Sequence, residues 1–339
     1  MQTSQGRGVG LGLALVSALA FGGSGVAAKP LIEAGLDPLH VVWLRAAGAA
    51  LVLLPVAWRH RALVRRRPAL LAGFGLLGVA GVQACYFAAI SRIPVGVALL
   101  VEYLGPALLL GWVRFVQRRP VSRAAAAGVV LAVGGLACVV EVWSGLRFDV
   151  LGLIIALGAA CCQAGYFVLA DHGADGAAAG DGAGGRAGAA DPVGVTAHGL
   201  LVGALVLTAV ARPWTMDWQF LAHSARLGGT GVPAGLLLAW LVLIATVAAY
   251  LTGVVSVRRL SSQVACVVAF LEAVVAVVLA WALLGEGLSA PQAAGGVLVL
   301  AGAFIAQTSA PRHARPGPVA RGEGTADAER ELSDGPLRT

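Results

Sequence analysis

The sequence predicts an all-α integral membrane protein with ten transmembrane helices, arranged as two inverted repeats of five helices. One observation is composition: 58% of the 339 residues are hydrophobic and 12% are charged, with a mean hydropathy of +0.84. Soluble domains average about 25% charged residues. The other observation is an internal duplication, in which the order of apolar segments in the first half recurs in the second half.

Apolar runs of membrane length recur along the chain, separated by polar or charged connections. A helix needs about 20 residues to cross a hydrocarbon core of about 30 Å. The runs lack the alternation of barrel strands, and helices satisfy their backbone groups internally. The first run is interpreted as a retained helix and not as a secretory signal, because its repeat partner lies mid-chain. The predicted helices are 9–28, 39–57, 69–90, 96–115, 124–140, 151–170, 193–210, 234–255, 264–284 and 291–307.

The duplication is most regular over residues 92–135, where adding 167 leads without a gap to residues 259–302. There RIPVGVALLVEYLGP lies over RLSSQVACVVAFLEA, and AAGVVLAVGG lies over AAGGVLVLAG. Because each copy has five helices, an odd number, the second copy is predicted to cross the bilayer upside down. Inverted repeats of this kind are typical of secondary transporters that work by alternating access.

The predicted organisation has two repeats and little else. The repeats span 9–141 and 151–308, and the second contains a Gly/Ala-rich loop at 172–191 that we interpret as a flexible linker. A short N-terminus at 1–8 precedes them, and a tail at 311–339 without apolar periodicity is predicted to be disordered.

Charge predicts the orientation of the chain. Arginines concentrate at 59–67, 114–123 and 312–338, connections that lie on one side if both termini are cytoplasmic, as the positive-inside rule requires. The sequence therefore predicts a multi-pass plasma-membrane protein. Arginines at helix ends also make anionic lipid head groups, and not nucleic acid, the expected partner of a chain with a net charge of +7.

The sequence contains no recognisable catalytic machinery. It has no HExxH helix, nucleophile elbow or phosphate loop. The five cysteines, Cys85, Cys138, Cys161, Cys162 and Cys266, all fall inside predicted helices without metal-site spacing and are interpreted as small packing residues. We therefore predict a protein that is not an enzyme, with no catalytic residues, no metal ligands and no cofactor.

Ionisable residues in the predicted helices are functional candidates, because each is costly in lipid. Arg45 and Glu102 each lie about six residues from the same side of the bilayer, so at 1.5 Å per residue both are about 9 Å deep and can pair. Gln83 and Tyr86 fall in the same outer layer. We predict that these four bind substrate and that Glu102 also carries a proton; the alternative is a buried ion pair that fixes helix packing.

The second copy places a similar set in the cytoplasmic half. Glu272 is a predicted proton-coupling residue, and Gln163 and Tyr166 are predicted to bind substrate, with interhelical hydrogen bonding as the alternative. His198 and Tyr250 lie at similar depths. Under the repeat, Arg45 aligns with Gly199, so this layer lacks a fixed positive charge.

Two small-residue sites are candidate hinges. Gly22, Gly23 and Gly25 permit close helix approach in the first helix. Gly105 and Pro106 loosen the fourth helix, because proline removes a backbone donor. The alternative is close packing at the first site and a tolerated kink at the second.

Three stretches resemble the EamA family of the drug/metabolite transporter superfamily: AAISRIPVGVALLVEYLGP at 88–106, RRPVS at 118–122, and FLEAVVAVVLAWALLGEGLSAPQAAGGVLVLAG at 270–302. The likeness extends over most of 9–307, and E-x-x-GP followed by RRP is most similar to the threonine/homoserine exporter branch. The chain departs from the family where the usual LEP is Leu271-Glu272-Ala273, while LGE is kept at Leu284-Gly285-Glu286.

The resemblance implies ten helices in inverted repeats and export of a small metabolite, such as an amino acid, driven by the proton gradient. As a hypothesis, Arg45 holds a substrate carboxylate, while Glu102 and Glu272 bind its ammonium or the coupling proton. The alternatives are efflux of a lipophilic cationic drug, or a non-transporting membrane scaffold or sensor. A homodimer is compatible with the sequence.

Overall fold

The computed structural model describes the backbone of residues 4–118, 120–141, 148–180, 191–259 and 262–309. The tail predicted at 311–339 and the side chain of Cys266 lie outside the described residues. The first half contains α1 (Ser4–Glu33), α2 (Pro38–Val52), α3 (Leu54–Arg59), α4 (Ala62–Arg66), α5 (Pro68–Gly73), α6 (Val82–Ile90), α7 (Val95–Glu102), α8 (Gly105–Phe115) and α9 (Arg123–Val140). The second half contains α10 (Val150–Gly180), α11 (Pro192–Ala211), α12 (Ala234–Ala239), α13 (Ala249–Arg259), α14 (Ser262–Leu279) and α15 (Ala290–Ser309).

Within the described residues, eight helices are long and apolar enough to cross a membrane. Two shorter apolar helices, Pro38–Val52 and Phe270–Leu284, fall where the second and ninth helices were predicted. Many apolar side chains on the outer surface are exposed, as a lipid-facing surface requires. The eight long helices are Gly8–Glu33, Pro68–Ile90, Val95–Phe115, Arg123–Val140, Val150–Leu169, Pro192–Ala211, Ala234–Ser256 and Ala290–Thr308.

Two boundaries differ from the prediction. Helix α1 begins at Ser4, inside the N-terminus expected at 1–8. Helix α10 continues to Gly180, so residues 172–180 of the Gly/Ala-rich loop expected at 172–191 are helical. The run of alanines at 177–179 explains the second difference, because alanine has the highest helix propensity.

Three π-helical segments interrupt or extend the described helices. Phe74–Gly81 joins α5 to α6, Trp240–Ala248 joins α12 to α13, and Ala280–Leu284 continues α14. Adding 167 to 74–81 gives 241–248, so the first two occupy equivalent places in the duplicated sequence. Such segments are rare and are frequent at functional sites.

A β-hairpin, which was not predicted, lies between α11 and α12. Strands β1 (Ser224–Leu227) and β2 (Thr230–Pro233) pair antiparallel, with Leu227 opposite Thr230. The two-residue turn uses Gly228 at φ +57° and Gly229 at φ +80°, the positive φ values that a type I′ turn requires. The hairpin covers a vestibule of about 680 Å³ that Lys29, Arg92 and Glu286 also line. We refer to this end of the helix bundle as the hairpin end.

The opposite end of the bundle is fastened by a contact between α3 and α11. His60 Nε2 lies 3.1 Å from Asp191 Oδ2 and His60 Nδ1 lies 2.9 Å from the Val56 carbonyl oxygen. Asp191 also caps α11, accepting from the Val193 backbone N–H at 3.0 Å. Gly194 provides the space, since a Cβ there would lie 2.8 Å from the His60 ring.

Helices α9 and α15 cross with their backbones in contact. A Cβ added at Gly128 would lie 2.7 Å from the Gly302 carbonyl oxygen, and one at Gly135 would lie 2.7 Å from the Gly295 carbonyl oxygen. Adding 167 to 128 and 135 gives 295 and 302. The contact of Gly128 with Gly302 is therefore the repeat counterpart of the contact of Gly295 with Gly135. Small residues allow this approach, which is a common way for helices to associate in lipid.

Candidate functional site

Arg45 of α2 is buried near the middle of the bundle and is held by three hydrogen bonds. Its Nε donates to Thr246 Oγ1 at 2.6 Å, Nη1 donates to Gln83 Oε1 at 2.7 Å, and Nη2 donates to the Ala245 carbonyl oxygen at 3.1 Å. The guanidinium also lies 5.4 Å from the ring centroid of Phe87. The side chain is 4% exposed. Two of the five guanidinium N–H groups are not used by these bonds.

Two of the three acceptors for Arg45, Thr246 Oγ1 and the Ala245 carbonyl oxygen, come from the π-helical segment Trp240–Ala248. Thr246 Oγ1 donates to the Leu241 carbonyl oxygen at 2.7 Å, which leaves its lone pairs for Arg45. Gln83 follows the equivalent π-helical segment of the first copy, and adding 167 to Gln83 leads to Tyr250. Tyr250 lines the same small cavity as Arg45 and Gln83. The second π-helical segment and the helix that follows the first one therefore meet at the guanidinium.

The prediction that Arg45 and Glu102 form an ion pair is wrong. The ion pairs of the described residues do not include it, because uncharged acceptors hold the guanidinium. Arg45 does lie within electrostatic range of both Glu102 and Glu272. The outer and cytoplasmic layers of the prediction therefore meet in one charged cluster, which we define as Arg45, Glu102 and Glu272.

Glu102 lies where the fourth membrane helix breaks. Helix α7 ends at Glu102 and α8 begins at Gly105. Pro106 is the fourth residue after Glu102 and has no N–H to donate to the Glu102 carbonyl group, which explains the break. The loosening predicted for Gly105 and Pro106 is confirmed. Glu102 itself is partly buried, and its carboxyl group lies within electrostatic range of the Glu272 carboxyl group.

Glu272 lies in a helix that does not break. Helix α14 continues through Glu272 and Ala273 to Leu279, in keeping with the loss of the proline from LEP. Helix α1 lies against this point, because a Cβ at Gly22 would be 2.9 Å from the Glu272 carbonyl oxygen and 2.7 Å from Val275 Cγ1. In this structure α1 is continuous through Gly22 and Gly25, which serve as close contacts.

Two tyrosines flank the cluster. Tyr86 is 6% exposed, its hydroxyl group lies against Gly25 of α1, and it is within electrostatic range of Glu102 and Glu272. Tyr250 is within electrostatic range of all three members of the cluster. Tyr86 was a predicted substrate-binding residue and adjoins the cluster as expected from its depth; Tyr250 was mentioned only for its depth.

Gln163 and Tyr166 belong to α10, which packs against α7 and α8 on either side of their break. Gln163 Oε1 is in close contact with Gly105. The Tyr166 ring packs against Phe74 at 5.0 Å between centroids and lies within electrostatic range of Tyr250. Gln163 therefore contacts the break that follows Glu102, and Tyr166 lies near Tyr250, which flanks the cluster. Gly23, by contrast, faces Trp240, whose Nε1 is 3.6 Å from a Cβ built at that glycine.

The cavity beside Arg45 is small. Its volume is about 10 Å³, which is room for about one water molecule. Apolar side chains close it, including Val42, Val79 and Leu200. Arg45 is thus closed off in the conformation observed, while Glu102 and Glu272 are partly buried.

A contact that the sequence did not predict closes the hairpin end. Lys29, at the end of α1, forms an ion pair with Glu286, which follows the π-helical segment after α14. Glu286 Oε2 also accepts from the Val95 backbone N–H at 2.8 Å, at the start of α7. Three membrane helices are therefore joined by one carboxylate. The signals were the single lysine of the chain and the LGE motif at Leu284-Gly285-Glu286.

The cysteines of the described residues are free thiols, namely Cys85, Cys138, Cys161 and Cys162. Within the described part of the chain, no group of three His, Cys, Asp or Glu side chains is arranged to hold a metal ion.

A sequence profile decides the family. The profile of the EamA-like transporter family matches this chain twice, over residues 8–141 and 150–308. The chain belongs to the EamA-like transporter family. It is therefore an integral membrane transporter, and the resemblance noted in its motifs is confirmed. A transporter family also agrees with the expectation that the protein is not an enzyme.

Curated relatives of the transporter include exporters. The threonine/homoserine exporter RhtA of Escherichia coli strain K12 is 29% identical over 270 residues, covering 78% of this chain and 79% of the relative. RhtA of Salmonella typhimurium strain LT2 is 28% identical over 260 residues, covering 74% and 76%. One solved crystal structure, 18% identical, has a TM-score of 0.55 and covers 91% of this chain and 98% of its own. That likeness supports the fold alone.

Proposed function

We propose that the transporter exports a small amino acid, such as threonine or homoserine, in exchange for protons. The observation that carries this proposal is the cluster of one guanidinium and two carboxyl groups within the helix bundle of a membrane protein, with Arg45 buried and Glu102 and Glu272 partly buried. Ionisable groups at such a place are costly and mark substrate or ion pathways. The relatives named as threonine/homoserine exporters support the choice of cargo.

The cluster matches the charges of an amino acid. Arg45 has two N–H groups left after its bonds to Thr246, Gln83 and Ala245, and a guanidinium binds a carboxylate well with such a pair. Glu102 and Glu272 then bind the ammonium group. With both carboxylates ionised, the cluster carries one net negative charge, so it attracts a cationic group or a proton.

Exchange follows from competition at the two carboxyl groups. An ammonium ion and protons neutralise the same negative charge, so cargo release favours protonation and proton release favours cargo binding. Glu102 and Glu272 are therefore the proposed proton-coupling residues. The proposed substrate-binding residues are Arg45, Gln83, Tyr86, Glu102, Gln163 and Tyr166.

The proposed architecture is ten membrane helices in two inverted repeats, 9–141 and 151–308. Two features support it: the reciprocal contacts of Gly128 with Gly302 and of Gly135 with Gly295, and the π-helical segments at equivalent places. Reciprocal contacts are what a two-fold relation between α9 and α15 requires. We further propose a plasma-membrane location with both termini cytoplasmic, which puts the hairpin end outside.

Alternating access then requires the hairpin end to open. In the observed conformation the Lys29–Glu286 pair and the Val95 N–H contact join α1, α7 and the end of α14 between the vestibule and the cluster. Gly105, Pro106 and the α1 glycines Gly22, Gly23 and Gly25 are the proposed hinges for this movement. Release of the cargo to the outside requires these contacts to separate.

The test is efflux of preloaded threonine and homoserine from cells that produce the wild type or a Glu102→Gln variant of equal membrane abundance. We expect faster efflux from wild-type cells than from empty cells, accompanied by proton uptake, and a loss of both in Glu102→Gln. The substitution keeps the size of the side chain and removes its charge. Equal efflux from wild-type and empty cells would reject this cargo.

A second candidate is efflux of a lipophilic cation. An apolar groove of about 600 Å³ lies beside α1, lined by Gly23, Trp240 and Leu279 among others, and the neighbouring Gly22 contacts the Glu272 backbone. A lipophilic cation would place its charge at Glu272 and its apolar body in this groove. Resistance of producing cells to such compounds, without amino-acid efflux, would favour this candidate.

A further inference from the structure

Ser24 of α1 differs from the other buried polar side chains of the described residues. Its side chain is 5% exposed. Among the described residues, Ser24 Oγ is the buried side-chain polar atom without a hydrogen-bond partner. A buried hydroxyl group loses its bonds to water and is costly unless another polar group takes their place. One explanation of such a group is a partner that binds during function.

The position of Ser24 on α1 directs it towards the segment that holds Arg45. Ser17 and Phe21 mark one face of α1, since Ser17 Oγ donates to the Ala249 carbonyl oxygen at 2.8 Å and the Phe21 ring lies 4.9 Å from that of Tyr250. Ser24 is seven residues after Ser17, which is about two helical turns, so it lies on the same face. The helices run antiparallel, and Ser24 therefore lies beside the π-helical segment Trp240–Ala248.

The immediate neighbours of Ser24 contact the charged cluster and its flanking tyrosine. Gly22 adjoins the Glu272 backbone and Gly25 adjoins the Tyr86 hydroxyl group. The α1 backbone at Ser24 is therefore fixed between groups that the proposed function assigns to cargo and proton binding.

We propose that Ser24 determines specificity by hydrogen bonding to a hydroxyl group on the side chain of the cargo. The two charged groups of an amino acid are bound by Arg45 and by the carboxyl groups, so the side chain of the cargo is left to uncharged groups. A serine hydroxyl both donates and accepts, which suits another hydroxyl group. The proposal rests on the proposed export of a small amino acid and adds the residue that selects its side chain.

The test compares two cargoes that differ by one hydroxyl group. Threonine or homoserine is measured against 2-aminobutyrate, which has the same carbon chain without the hydroxyl group. The variants are Ser24→Ala and, as a matched control on the same face of α1, Ser17→Ala. We expect Ser24→Ala to lower the preference for the hydroxylated cargo by on the order of tenfold, because a site that bonds a substrate hydroxyl discriminates against its absence. Ser17→Ala should leave this preference unchanged.

Thermal stability provides a readout that does not depend on cargo. Ser24→Ala should melt at or above the wild-type temperature, because it removes a buried polar atom that lacks a partner. Ser17→Ala should melt lower, because it removes the hydrogen bond from Ser17 Oγ to the Ala249 carbonyl oxygen. A structural role for Ser24 would instead lower the melting temperature of Ser24→Ala.

The outcomes separate this proposal from the proposed function. An equal loss of efflux for both cargoes in Ser24→Ala, with an unchanged preference, would overturn the role of Ser24 while export stands. Failure of the wild type to export either hydroxylated amino acid would reject the proposed function. In that case the melting comparison decides whether the Ser24 hydroxyl group has a structural partner, and a lower melting temperature overturns the proposal.

Discussion

Substitution of Gly135 by alanine should weaken the crossing of α9 and α15. The added Cβ would lie 2.6 Å from the Val299 backbone nitrogen, 2.7 Å from the Gly295 carbonyl oxygen and 2.8 Å from Leu298 Cβ. Carbon contacts are favourable at about 3.5–4.0 Å, so the two helices must separate by roughly 1 Å. All close neighbours but one are backbone atoms, which cannot turn away as a side chain can.

The cost can be estimated from overpacking in other proteins. Forcing an extra methyl group into a packed site costs about 1–3 kcal/mol. Against this, alanine is favoured over glycine in a helix by up to about 1 kcal/mol. The adjacent Gly134 supplies the control, because a Cβ there has no atom within 4 Å. Gly134→Ala therefore gains the helix propensity without the clash.

The measurement is the temperature at which the detergent-solubilised protein loses its monodisperse peak on size-exclusion chromatography. We expect Gly135→Ala to melt lower than Gly134→Ala by roughly 2–12 °C, from about 1–3 kcal/mol and about 2–4 °C per kcal/mol in large domains. Gly134→Ala should melt at or above the wild-type temperature. Equal melting of the two variants would refute the close backbone crossing, and with it the reciprocal contacts that support the inverted repeat.

Two further predictions concern the path between the cluster and the hairpin end. Gly22→Ala should slow efflux at equal membrane abundance, because its Cβ would push against the Glu272 backbone. Gly12→Ala, also on α1, should not, because a Cβ there has no atom within 4 Å. Equal rates for the two variants would argue against the α1 contact as a functional one. A Cβ at Gly96 lies 3.8 Å from that of Val277, close to the mean of about 3.8 Å in disulfides. Oxidation of the Gly96→Cys/Val277→Cys double variant should therefore stop efflux, and reduction should restore it. Neither single variant should respond in this way. Efflux by the cross-linked protein would show that α7 and α14 need not separate.

Local sequence features predicted the helices well. The apolar runs lie where the helices are, because a membrane span is a property of a continuous stretch of chain. The break near Gly105 and Pro106 was also predictable, since the missing N–H is a local chemical fact. The hairpin had a local signal as well, Gly228-Gly229 between short strands, but the apolar pattern around it is weak.

The partners of the charged residues could not be predicted in the same way. Arg45 and Thr246 are separated by 201 residues, and Lys29 and Glu286 by 257. Depth estimates place such residues in layers and do not say which helices face each other. The expected pair of Arg45 with Glu102 failed for this reason, because a π-helical segment of the second half supplies neutral acceptors that the depth estimate did not include.

The two carboxyl groups of the cluster lie in different structural surroundings, although they come from related sequences. Glu102 ends α7 at a break that Pro106 creates, so a change in its charge can be passed to α8 by small changes at Gly105. Glu272 lies within the continuous helix α14, and its carbonyl group is in contact with α1 at Gly22. Neutralising Glu272 therefore acts on the packing of two intact helices, while neutralising Glu102 acts on a joint. The proposed site therefore has one carboxyl group at a joint between two helices and one on a continuous helix.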